Sequence, residues 1–90
     1  MRAWKAAGSG HTEIVQMLLR AGADVNITGG GSTALMWAAQ KGHAEVVRML
    51  LEAGANVNRK DKDVKLALVH AREKGHSDIV DLLIKAGAEY

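Results

Sequence analysis

Cysteine, proline and phenylalanine are all absent from this 90-residue chain, and aromatic residues make up only 3% of it. Without cysteine there is no disulfide framework and no thiolate for catalysis or metal binding, a composition that suits a reducing compartment. Long apolar runs are missing as well. Charge interrupts each hydrophobic stretch within a few residues, so no segment reaches the ~20 apolar residues of a membrane helix. Met1-Arg2-Ala3-Trp4 is followed by no apolar region of the kind a secretion signal carries. The expectation is a soluble, intracellular protein, cytoplasmic or nuclear. Nor does one sign of charge dominate: the formal net charge is +2. Lys41, Lys60, Lys62, Lys65 and Lys74 could line one side, but Asp61, Asp63 and Glu73 stand among them, which is not the basic stripe of a nucleic-acid binder.

What the chain does have is a period. Gly10-His11, Gly42-His43 and Gly75-His76 lie 32 and 33 residues apart, and Gly22-Ala23, Gly54-Ala55 and Gly87-Ala88 keep the same two intervals. Between each pair of markers runs an amphipathic segment. From Thr12 to Ala21, Ile14, Val15, Met17, Leu18 and Leu19 leave a polar line of Glu13, Gln16 and Arg20 at helical spacing. Thr12 with Glu13 behind it suits the helix start, and Gly22 suits the left-handed position past its end. The same design returns as Glu45, Arg48 and Glu52 against Val46, Val47, Met49, Leu50 and Leu51, and as Asp78, Asp81 and Lys85 against Ile79, Val80, Leu82, Leu83 and Ile84. Apolar faces this wide need a neighbour on either flank.

A period near 33, with Thr33-Ala34-Leu35-Met36-Trp37-Ala38-Ala39 ahead of Gly42-His43 and Leu50-Leu51 ahead of Gly54-Ala55, resembles the ankyrin-repeat family over essentially the whole chain. The resemblance implies an all-α solenoid of stacked helix-turn-helix units joined by β-turn or hairpin loops. A single domain over 1–90 is expected, with units of approximately 1–27, 28–60 and 61–90. The first is truncated, its Arg2 to Ala7 falling where an inner helix belongs. In the second, Ala38 and Ala39 let the inner helix approach its neighbours closely. The third departs most: where the pattern has Gly, Thr, Pro, Leu and His, this chain has Val64, Leu66, Ala67, Leu68 and Val69. A β-branched residue at the turn glycine would cost about 1–2 kcal/mol if the backbone angle stayed positive. Losing the capping hydroxyl at Leu66 costs about 1 kcal/mol unless Asp61 or Asp63 substitutes.

Residues that invite a chemical reading favour plainer ones. His11, His43 and His76 recur in phase, and the resemblance makes them structural, each ring bonding backbone of a connecting turn. His70 has no second ligand at metal spacing, and Asp61-Lys62-Asp63 lacks the glycine and glutamate of a calcium loop. Gly29-Gly30-Gly31 lacks the Gly-Lys-Ser/Thr ending of a phosphate loop and reads as a permissive turn. No cofactor, metal or catalytic constellation is expected, and the chain does not read as an enzyme. Asn26-Ile27-Thr28 is a formal glycosylation sequon, silent without secretion. The resemblance gives Asn26 and Asn58 a role in the inter-repeat turns. It also makes them candidates for asparagine hydroxylation, since Leu19 and Leu51 stand seven residues before them. Trp4, Met36 and Trp37 could form a binding patch, but packing in the core is the preferred reading of these bulky residues.

The function implied by the resemblance is recognition of another protein on a concave surface of turn tips and inner-helix faces. Carried over by position, the exposed places are Gly29, Gly30, Ser32, Gln40 and Lys41 in the second unit, and Lys62, Asp63, Lys65, Glu73 and Lys74 in the third. An alternative is self-association into a homo-oligomer through Val64, Leu66 and Val69, apolar residues where the family has a turn glycine, a threonine and a histidine. That pattern also fits an engineered interface written onto an ankyrin scaffold.

Overall fold

The computed structural model describes residues 11–22, 25, 26, 28, 29, 32–59 and 66–88. The expected helix at Arg2 to Ala7, together with Trp4, Gly30, Gly31 and the turn containing Lys62, Asp63, Val64 and Lys65, lies outside them. In order, the elements are α1 (Thr12–Arg20), β1 (Thr28–Gly29), β2 (Ser32–Thr33), α2 (Ala34–Lys41), α3 (Ala44–Glu52), α4 (Ala67–Glu73) and α5 (Ser77–Lys85). The two short strands pair antiparallel, Thr28 opposite Thr33 and Gly29 opposite Ser32, and hand the chain directly into α2.

Helices of seven to nine residues do not persist alone in water; these are held by what they bury. α2 packs on α3 and α4 on α5, making two helical hairpins, and the hairpins stack with α2 along α4 and α3 against α5. α1 lies against α3 on the other flank. Ala38, Ala39 and Ala71 are fully buried, and their small side chains let the inner helices meet closely. Around them Val15, Leu35, Met36, Val46, Val47, Leu50, Leu68, Ile79 and Leu83 form one continuous core. Each fully buried aliphatic side chain there contributes about 1.5–3 kcal/mol.

The outer helices begin one residue earlier than the Thr12 reading places the cap. His11, His43 and His76 hold the N-cap positions with no side-chain cap bond, and Thr12 is already helical. The carbonyls of these histidines accept the N–H groups of Val15, Val47 and Val80, each at 3.0 Å, the ordinary opening bond of a helix. At the other ends Gly22, Gly54 and Gly87 have positive φ, as the helix-stop pattern requires.

The inner helices start differently from each other. Thr33 Oγ1 accepts the Met36 N–H at 3.3 Å, and the Thr33 N–H donates in turn to Met36 Sδ at 3.4 Å, so a thioether completes the capping box. Leu66 occupies the corresponding place on α4, makes no cap bond, and is instead only 9% exposed. The lost hydroxyl is traded for apolar burial.

Candidate functional site

On α2 the residues left outside the core are Trp37, Gln40 and Lys41, at the i, i+3, i+4 spacing of one helix face. On α4 and its C-cap the same positions, 33 residues on, are His70, Glu73 and Lys74. The two helices lie side by side, so the rows run in register along the stack. Lys41, Glu73 and Lys74 are exposed; Trp37, Gln40 and His70 are half-buried. The β1–β2 ladder, with Gly29 facing Ser32, stands immediately before the first row.

The frame behind this face is fixed by polar contacts between successive repeats. His76 Nε2 lies 3.2 Å from the Gln40 carbonyl, which ties the start of α5 to the end of α2. At Gly42, between those helices, φ is +81° and an added Cβ would sit 2.7 Å from the His76 ring. Only glycine meets both conditions. Farther along, Asn26 Oδ1 accepts the Asn56 N–H at 2.7 Å, Asn58 Nδ2 donates to the Gly87 carbonyl at 3.2 Å, and Arg59 Nη1 donates to the Asn26 carbonyl at 3.1 Å. Each joins one loop to the next.

A family model for ankyrin repeats, in three copies, matches residues 3–90. The chain belongs to the ankyrin-repeat family. Ankyrin repeats are in general protein–protein interaction modules and not enzymes. No curated protein matches the chain. Among the described residues no group of three or more histidine, cysteine or acidic side chains is placed to hold a metal ion. No described helix is long and apolar enough to cross a membrane.

Of the residues chosen from the ankyrin pattern, Gln40, Lys41, Glu73 and Lys74 fall together on the two inner-helix rows, and Gly29 and Ser32 lie on the ladder beside them. Gly30, Lys62, Asp63 and Lys65 are outside the described residues. In the alternative patch Leu66 is nearly enclosed within its own chain, Val69 is half-buried, and Val64 is not described. The core reading divides between neighbours: Met36 is buried, whereas Trp37 stands at the core's edge on the row with Gln40 and Lys41. His70, its counterpart, was not among the chosen positions. The helical spacing of Trp37 to Gln40 and Lys41, repeated at His70, is the signal that marks both.

Proposed function

We propose that this ankyrin array binds another protein through the inner-helix rows Trp37-Gln40-Lys41 and His70-Glu73-Lys74 and the adjoining β1–β2 ladder. The observation that supports it is the register of the two rows. They offer a half-buried aromatic ring for apolar contact, flanked by exposed groups of both signs, on helices that bury Leu35, Ala38, Leu68 and Ala71 in the core. These side chains lie outside the core cluster that contains Leu35, Leu68 and the alanines.

The test compares two multiply substituted forms by affinity capture and mass spectrometry. One carries Gln40→Ala, Lys41→Ala, Glu73→Ala and Lys74→Ala; the other carries Gln16→Ala, Arg48→Ala and Asp81→Ala on the outer helices. Partners captured by the parent should be lost from the first and kept by the second. Retention by the first with loss from the second would place recognition on the outer helices and overturn the proposal.

A further inference from the structure

Charge is divided unevenly between the two sides of this stack. The outer helices α1, α3 and α5 carry five exposed acids, Glu13, Glu45, Glu52, Asp78 and Asp81, against three exposed basic residues. On α2, α4 and the C-cap of α4 the balance reverses, with Lys41, Arg72 and Lys74 against Glu73. Arg72 and Glu73 are both engaged in interactions within the chain. Lys41 and Lys74 are exposed and have no ion-pair partner among the described residues, so theirs are the charges this face offers to a ligand.

The spacing of the two lysines sets what they can hold. They occupy equivalent positions at the ends of helices that pack side by side. Axes of packed helices lie ~8–10 Å apart, so the two side chains leave the surface at about that separation. An extended chain with about three residues per turn and ~3.1 Å rise returns a side chain to the same side every ~9 Å, which matches it. Trp37 stands one helical turn before Lys41 on the same side of α2 and is half-buried, so its ring flanks the path of such a chain.

We propose that the inner-helix face takes an extended acidic segment of another protein, with two carboxylates three residues apart pairing with Lys41 and Lys74 and an apolar neighbour lying against Trp37. This rests on the reading that the inner-helix rows are the recognition face. The acidic outer helices repel the same segment, which confines it to the inner side. Each exposed pair contributes modestly and yields to salt, so selectivity comes from meeting both lysines at once.

Fluorescence anisotropy with labelled probes at low ionic strength tests this. One peptide has a leucine followed by two glutamates separated by a pair of prolines; a second has lysines in place of the glutamates; a third has the glutamates adjacent. A single-stranded oligonucleotide of similar length is the fourth probe. The first peptide should bind most tightly, its affinity falling about two- to fivefold with Lys41→Ala or Lys74→Ala and about tenfold or more with Lys41→Glu and Lys74→Glu together. That doubly reversed protein, its helicity checked by circular dichroism, should bind the lysine peptide instead, an exchange that lost stability cannot produce. Equal binding of the lysine or adjacent-glutamate peptide, tighter binding of the oligonucleotide, or indifference to the lysine substitutions would overturn the proposal. If the glutamate peptide fails while captured partners still depend on Gln40, Lys41, Glu73 and Lys74, only the acidic assignment falls; failure of both removes the face as well.

Discussion

Asn26 and Asn56 stand thirty positions apart in sequence, yet the Oδ1 of the first accepts the backbone N–H of the second at 2.7 Å. The bond ties the loop after α1 to the loop after α3 and holds two successive repeats in register. Asn58, the counterpart of Asn26 one unit on, bonds the next loop in the opposite sense, its Nδ2 donating to the Gly87 carbonyl.

Replacing Asn26 with alanine removes the acceptor and should lower stability by about 0.5–1.5 kcal/mol, the usual net value of such a bond. Asn26→Asp keeps an acceptor oxygen and should retain most of that stability. Urea denaturation of both variants is the check; equal losses would show that the bond contributes nothing through its acceptor.

Gly42 and Gly54 separate two effects that usually come together. Both have positive φ, but of the two only Gly42 faces a neighbouring ring, and among the described residues nothing lies within 4 Å of where a Cβ of Gly54 would be. Gly54→Ala should cost about 1–2 kcal/mol from backbone conformation alone. Gly42→Ala should cost more, and combining it with His76→Ala should recover part of the excess, a coupling that a double-mutant cycle measures directly.

At the inner-helix starts, Thr33→Ala should destabilise by about 1 kcal/mol through loss of the hydroxyl cap. At Leu66 the apolar contact and the missing cap oppose each other, so the informative comparison is between two truncations. Leu66→Thr should be more stable than Leu66→Ala by about 1 kcal/mol, since both give up leucine burial and only threonine can cap. Thermal melts of the two proteins side by side decide it.

Arg48 and Glu45 form an ion pair at 3.6 Å with both side chains more than half exposed. Glu45→Ala should shift stability by no more than about 0.5 kcal/mol, and that shift should vanish in high salt. A larger change would mean that Glu45 acts through something other than this pair.

Periodicity made the helical positions legible, because a face that must be covered on both flanks leaves its mark at every turn: Val46, Leu50, Ile79 and Leu83 are buried as their spacing requires. The Gly-Ala pairs marked the helix ends for a similarly local reason. The starts were harder to read. Thr12 offers a hydroxyl in the right neighbourhood, yet the histidine before it occupies the cap with its backbone alone. Met36 as a cap acceptor was hidden because a thioether is a weak one and leucine-like packing explains its place equally well. The surface rows divided along the same boundary. Gln40, Lys41, Glu73 and Lys74 could be placed from polarity, whereas Trp37 looks like core from composition and reveals its position only through its spacing to its neighbours.

The close approach of the His76 ring to Gly42 has a geometric meaning beyond stability. In a stacked array a small rotation at each junction accumulates into the overall bend and twist. The gap at this junction is set by an aromatic heterocycle resting on bare backbone, with no side chain to act as a spacer. Widening it by one methyl group would change the bend of the array, so the curvature a bound protein meets is governed in part by a residue that protein need never touch.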